Sequence, residues 1–288
     1  MRHPLIFILL LCILSSCKSG QPDSVTVMTF NIRLDTPVDG INRWQERIPI
    51  VSEYMDSVAP DIAGMQEVLH NQLTDLLRIM PGYAYVGTGR DDGVQGGEYS
   101  PIFFREERFT LLDHSQFWLS ETPEVPGSKS WDAAITRIVS WAALEDKLSG
   151  KVIYVFNTHF DHRGVQARLN SIDLMAERIS EIAGDKPVIV TGDFNIRKSS
   201  DDYRFMKETF EGETGLTNVE YISQSPVTGA ESTFNGFRTD IEPGIIDFIF
   251  VDASFKVLSY SVDEITEGEV FISDHWPVVA KLEYAAGQ

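Results

Sequence analysis

Short apolar runs recur along this chain, and most are apolar on consecutive residues instead of alternating with polar ones. They are Val25 to Ile32, Ile62 to Met65, Ile102 to Phe104, Thr110 to Trp118, Ile138 to Leu144, Val152 to Phe160, Val188 to Val190, Ile245 to Val251 and Val278 to Leu282. A strand has this character when both of its faces are covered. Amphipathic helices lie between the runs. One spans about Trp44 to Val58, with Ile48, Val51, Tyr54 and Met55 at helical spacing, and ends before Pro60. Another spans about Gln166 to Ile182 and stops at Gly184, and a shorter one falls around Asp201 to Thr209. Strands outnumber helices while alternating with them, an α/β arrangement that predicts two packed sheets with helices outside. At 288 residues and 43% hydrophobic content, without internal repeat or low-complexity tract, the chain builds one sizeable core over residues 25–288. The stretch Glu211 to Thr239 is rich in Gly, Ser, Thr and Asn and is expected as a long connection bordering a site.

The residues at the ends of these runs carry the chemistry. Val188 to Thr191 leads into Gly192-Asp193-Phe194-Asn195, which places Asp193 and Asn195 two apart, on one side of an extended chain. A carboxylate and an amide oxygen aimed at one point suit a hard cation such as Mg²⁺ or Mn²⁺, or a phosphate beside it. Ser273-Asp274-His275 precedes the last strand and sets an acid next to a candidate general base. Asp247 is embedded in the apolar run Ile245 to Phe250, where an unpaired charge is costly. His275 is its natural partner, because a carboxylate both orients an imidazole and favours its protonated form. Asn31 follows Val25 to Phe30, Glu67 follows Ile62 to Gln66, and Asn157-Thr158-His159 closes another run. So many strands ending in Asn, Asp, Glu or His point to a catalytic end of a sheet.

Taken in order, Thr29-Phe30-Asn31, Gln66-Glu67, Glu98-Tyr99 ahead of Phe103-Phe104-Arg105, Asn157-Thr158-His159, Gly192-Asp193-Phe194-Asn195, Ile246-Asp247-Phe248-Ile249 and Ser273-Asp274-His275 resemble the endonuclease/exonuclease/phosphatase superfamily. The resemblance runs over residues 25 to 282. It implies a four-layer α/β/β/α sandwich of two mixed sheets flanked by helices, with metal-dependent hydrolysis of phosphoesters at one end. It further implies Glu67 as the principal metal carboxylate, with Asn31 and Asp274 near the same Mg²⁺ or Mn²⁺. Asp193 and Asn195 would align and activate the nucleophile, and Asp247 would orient His275 as general base. His159, steadied by Glu98, would contact the phosphate or assist the leaving group. Phe117-Trp118-Leu119-Ser120, Trp131-Asp132 and His159-Phe160-Asp161-His162 followed by Arg168 resemble a secreted bacterial branch. There Asn157, His162 and Arg168 are expected to bind an anionic substrate.

The leader fits export. Arg2 precedes the apolar run Leu5 to Leu14, too short to span a bilayer comfortably, and Leu14-Ser15-Ser16-Cys17 resembles a bacterial lipobox. Residues 1–16 are thus expected as a lipoprotein signal peptide, with Cys17 acylated and residues 17–24 serving as a tether to the membrane. The only other cysteine, Cys12, lies in the leader, so Cys17 has no disulfide partner once it is removed. The formal net charge is −19. Binding of a long nucleic acid relies on neutralising its backbone with Lys and Arg, and the sequence argues against it. A small or lipid-linked phosphoester is the expected substrate, a short RNA or DNA the alternative, and a non-catalytic binding lipoprotein the reading from a different class. No obligate protein partner is implied.

Overall fold

The apolar runs pair into two mixed sheets over the residues the computed structural model describes, 24–285. The leader and Cys17 lie outside them. The strands are β1 (Ser24–Asn31), β2 (Ile62–Gln66), β3 (Tyr83–Val86), β4 (Ile102–Arg105), β5 (Phe109–Trp118), β6 (Ile138–Asp146), β7 (Val152–His159), β8 (Val188–Asp193), β9 (Thr217–Asn218), β10 (Thr228–Gly229), β11 (Asp247–Val251), β12 (Phe255–Val262), β13 (Thr266–Glu267), β14 (Val270–Phe271) and β15 (Val278–Tyr284). One sheet runs β10-β12-β15-β1-β2-β4-β3 and the other β5-β6-β7-β8-β11-β9; β13 and β14 form a separate hairpin. Helices α1 (Trp44–Val58), α2 (His70–Ile79), α3 (Val165–Ala183) and α4 (Asp201–Thr209) flank the pair. This is the expected four-layer sandwich.

Each sheet contains a parallel pair joined through a helix. β1 and β2 are parallel and joined through α1, and β7 and β8 are parallel and joined through α3. A parallel pair delivers both of its carboxyl ends to the same edge, where ligands of open α/β sheets bind. Register makes Asn31 the partner of Gln66 and His159 the partner of Asp193. The antiparallel neighbours start there: Asp247 opens β11 opposite Asp193, and Val278 opens β15 opposite Thr29.

The sheets meet with β1 and β2 facing β7, β8 and β11. Most of this interface is apolar, with Val27, Ile62, Ile102, Val155, Ile189 and Ile249 buried. Near the catalytic edge it turns polar. Asn157 Nδ2 donates to the Met65 and Pro101 carbonyls at 2.7 and 2.9 Å, while its Oδ1 accepts from Gln66 Nε2 at 2.7 Å and from Thr191 Oγ1 at 3.0 Å. These bonds satisfy groups whose burial would otherwise cost stability. Gly64 lies against this network, and a Cβ there would stand 2.6 Å from Asn157 Oδ1 and closer still to Thr191 Oγ1. Glycine is what lets the sheets come this near.

Three elements depart from the sequence reading. Helix α2 is mostly polar and buries only a narrow stripe of Gln72, Leu73 and Leu76. Strand β3 is four residues long and half-buried, and β12 alternates apolar with polar residues beside the edge strand β10. None of the three is a fully covered run, which is the signal that located the others. The expected loop from Glu211 to Thr239 contains β9, a helical turn at Val219–Ile222 and β10. Its last part, Phe234 to Phe237, lies beside the catalytic edge.

Candidate active site

The strand ends of both sheets open on one cleft of about 600 Å³. Glu67, Glu98, His159, His162, Asp193, Asn195, Asp274 and His275 all line it. Asp247 sits behind His275, and Asn31 sits behind Glu67 and Asp193; both are buried.

His275 Nδ1 is 2.9 Å from Asp247 Oδ2, and its Nε2 is 3.7 Å from Asp193 Oδ2. Burial opposes a charge on this imidazole, but Asp247 and Asp193 outweigh it and hold its pKa well above the ordinary histidine value. The two carboxylates thus favour the imidazolium form of His275. In that form the ring donates a proton and does not accept one. Burial and the neighbouring Asp247 push the pKa of Asp193 up to about 7. Its Oδ1 accepts from the Asn195 backbone N–H at 2.9 Å, with Asn195 held in a left-handed turn at φ 51°. The edge of the Phe234 ring covers the imidazole, with centroids 5.1 Å apart.

Across Asn31 lies a second acidic group. Asn31 Nδ2 donates to Glu67 Oε1 at 3.1 Å and to Asp193 Oδ2 at 3.0 Å, and its Oδ1 accepts from the Arg33 N–H at 3.0 Å. Asn31 thus bridges the two acids as a donor, where an oxygen ligand was expected. Glu67 occupies a left-handed conformation at φ 61° and takes a further hydrogen bond from the Leu34 N–H. Burial works against its ionisation, yet His275, Asn31 and Leu34 keep its pKa below the usual value. Burial and the nearby Glu67 raise Asp274 to about 6. A buried carboxylate pair in which one member resists ionisation is completed by a cation. Two carboxylates and solvent or phosphate oxygens are the donor set of Mg²⁺ or Mn²⁺. Asp193, Asp247 and His275 also come within 4.8 Å of one another. That cluster already holds its own imidazolium, and a metal ligand must be deprotonated. Glu67 and Asp274 are the better fit.

The third wall is basic. Asn195 Nδ2 donates to His159 Nε2 at 3.0 Å and to the Phe160 carbonyl at 3.0 Å. Burial, with Arg137 and Arg90 nearby, keeps His159 neutral. Glu98 was expected to steady His159 but stands 4.0 Å from its Nδ1. Its carboxylate is instead gripped by both terminal nitrogens of Arg90, at 2.7 and 2.8 Å. Arg137 is buried, lies 3.8 Å from Asp161 and bonds His162 Nδ1 at 3.2 Å through Nη2. That contact leaves the His162 Nε2–H to act as a donor.

Two expected substrate contacts are not in the cleft. Asn157 is fully buried between the sheets with its amide committed there, one pleat deeper than His159. Arg168 donates to the Asp161 carbonyl at 3.0 Å and pairs with Asp202 at 3.4 Å, tying α3 to α4. The sequence reading missed Arg33, Arg90, Arg137, Phe234 and Phe237. The phenylalanines had one signal, their place in the segment expected to border the site.

Two facing mixed sheets that bring carboxylates, amides and imidazoles to one edge define a hydrolase of phosphoesters. The chain belongs to the endonuclease/exonuclease/phosphatase family, whose profile matches residues 28–275. An endonuclease/exonuclease/phosphatase of Bacteroides vulgatus is 41% identical with a TM-score of 0.85, covering 91% of this chain and 99% of that one. A mannosyl-6-phosphatase of Bacteroides thetaiotaomicron is 35% identical with a TM-score of 0.84, over 90% of this chain and all of that one. Rat nocturnin is 24% identical over 94% of this chain and 68% of its own length.

Proposed function

We propose that this protein is an exported, Mg²⁺- or Mn²⁺-dependent phosphatase of small phosphate esters, with sugar phosphates the leading substrates. The observation that carries this reading is the juxtaposition of a neutral-range carboxylate, Asp193, with a held imidazolium, His275, and the carboxylate pair Glu67 and Asp274 in one cleft. The mannosyl-6-phosphatase likeness supports the substrate class. A net charge of −19 disfavours long polyanions and leaves room for a small ester that brings its own few charges.

Glu67 and Asp274 would hold the ion, which supplies Lewis-acid stabilisation of the phosphoryl oxygens. Asp193 accepts a proton from the attacking water as the water oxygen bonds phosphorus; the ester P–O bond breaks, and the departing alkoxide takes a proton from solvent to leave as the alcohol, with inorganic phosphate the other product. His275, oriented by Asp247, neutralises charge gathering on a nonbridging oxygen. His162 offers an N–H to the substrate from the rim. Export rests on the leader, with acylated Cys17 holding the enzyme at a membrane.

A phosphoester panel with Mg²⁺, Mn²⁺ and chelator arms tests the assignment. Sugar 6-phosphates should be hydrolysed at least about tenfold more efficiently, in kcat/KM, than bis(p-nitrophenyl) phosphate or a short oligonucleotide. Preference for the oligonucleotide would replace this reading with a nuclease. Phe234, 45% exposed at the rim, is the feature that would then stack a base.

A further inference from the structure

Among the described residues, Arg33 is the one cleft-lining arginine placed against the metal-type carboxylates, and the proposed reaction as described leaves it without a task. Its backbone is left-handed at φ 58°, a conformation that non-glycine residues rarely adopt. The surroundings impose it. The Arg33 N–H is given to Asn31 Oδ1, and its carbonyl accepts from Gln72 Nε2 and from the buried Arg47 Nη2, each at 2.9 Å. Three bonds on one residue's backbone fix where its side chain leaves the strand end.

The side chain is fixed as well. Nε and Nη2 of the guanidinium grip both oxygens of Asp39, at 2.9 and 3.0 Å. Asp39 is itself nearly buried, its side chain 6% exposed. This parallel pairing is the geometry in which an arginine loses least freedom for each bond made. The remaining nitrogen, Nη1, makes no hydrogen bond with any described residue and lies 3.8 Å from Glu67 Oε2, while Nε lies 3.7 Å from Asp274 Oδ2. A surface ion pair made only to neutralise Asp39 would not need a strained backbone, a buried anchor and a free N–H edge on the cleft.

We propose that Arg33, positioned by Asp39, binds a nonbridging oxygen of the substrate phosphate beside the ion held by Glu67 and Asp274. The inference rests on the phosphatase reading for the identity of the ligand. A phosphate drawn to that ion arrives next to Nη1, and a fixed fork supplies a positive charge there without a second metal. Lysine could not do the same, since a single ammonium cannot hold Asp39 through two parallel bonds and still present a separate donor.

Binding, separate from turnover, tests this. The full chain loaded with Mn²⁺ is titrated with inorganic phosphate by calorimetry, alongside Arg33→Asn, Arg33→Lys and Asp39→Asn; asparagine tolerates the left-handed backbone, which protects the fold. Arg33→Asn should weaken phosphate binding by at least about tenfold, the loss of one charge-assisted contact, with Mn²⁺ affinity unchanged or tighter. Arg33→Lys should recover part of the loss, and Asp39→Asn should show a smaller one. Phosphate affinity within about twofold of wild type in both Arg33→Asn and Asp39→Asn would overturn the proposal. So would a loss of Mn²⁺ binding matching the loss of phosphate, which would make Arg33 a prop for the metal acids, and so would a wild-type protein that binds no phosphate. Phosphate bound through Arg33 in a protein that hydrolyses no ester would sink the phosphatase reading and leave this one standing.

Discussion

Asp193 and Asp247 face each other across the β8–β11 ladder, and His275 is hydrogen-bonded to Asp247 and 3.7 Å from Asp193. One proton-rich ring is shared by two buried acids, and the roles follow from which acid holds it closer. The Asp247 side is a positioning bond. In the proposed reaction the Asp193 side takes a proton from water.

Replacing Asp247 with Asn should leave the fold intact and remove the group that keeps His275 charged. We expect kcat on a sugar phosphate to fall about 10²- to 10⁴-fold. Asp193→Asn should lose at least as much and abolish the rise of activity with pH that is expected of the wild type around pH 7, as Asp193 ionises. A pH–rate profile of both variants checks this. An unchanged acidic limb in Asp193→Asn would remove Asp193 as the base.

Stability of the metal-free protein should decline as pH rises above neutrality. Asp193 and Asp274 have folded-state pKa values raised to about 7 and about 6 from an ordinary 3.8. A raised carboxylate stabilises the fold fully below its unfolded value and loses that contribution as pH climbs through the folded one. His275, also raised, acts in the same direction. In chelator, Tm should therefore fall above about pH 6.5 at constant salt, where the opposing gain from the depressed His159 is complete. Mg²⁺ or Mn²⁺ should oppose the fall increasingly at higher pH, because binding requires Asp274 ionised. Glu67→Gln should erase the metal effect, as differential scanning calorimetry with and without Mn²⁺ will show.

Asp161 holds the basic wall in place. Its Oδ1 accepts from the Arg163 and Gly164 N–H groups and its Oδ2 from those of Ala134 and Ile135, at 2.7 to 3.2 Å. Burial opposes its ionisation, but these bonds prevail and bring its pKa down to about 2. Asp161→Ala strands several donors and should cost about 1–3 kcal/mol. A depressed acid contributes above its unfolded pKa and stops contributing as pH falls through the folded one. The gap in stability between wild type and Asp161→Ala should thus be full at pH 6 and shrink toward pH 2. Denaturant melts at both pH values measure it.

Cys17 should carry the membrane anchor. Expressed in a bacterium with its leader, the wild type should partition with membranes and Cys17→Ser with the soluble fraction. Mass spectrometry of the N-terminal peptide reads the acylation directly. A soluble wild type with an unmodified Cys17 would end the lipoprotein assignment.

The strand ends were legible because an apolar run that stops at Asn, Glu, Asp or His has few structural reasons to do so. That pattern found Asn31, Glu67, His159, Asp193, Asp247 and His275. It did not separate a residue at the edge from one a pleat deeper. Asn157 and His159 share a face of β7, but only His159 reaches the cleft, since Gln66 and the Met65 carbonyl cover Asn157. Arginines were harder to place. Arg33, Arg90 and Arg137 take their meaning from partners at 2.7 to 3.8 Å that lie in other segments or across a turn. In sequence each resembles a solvated surface charge. The charge state of His275 was foreseen from Asp247 alone, but its consequence for the base required Asp193 to be seen at 3.7 Å.

The single amide of Asn31 joins the half of the cleft that would hold the ion to the half that would activate water. Glu67 and Asp193 are tied through one rigid group at 3.1 and 3.0 Å, so neither can be re-aimed without dragging the other. Reshaping this enzyme for a new ester is therefore constrained on the floor of the cleft and free at the rim. Phe234, Phe237 and His162 are the positions where variation leaves that linkage untouched, and libraries built there should yield changed selectivity with retained chemistry.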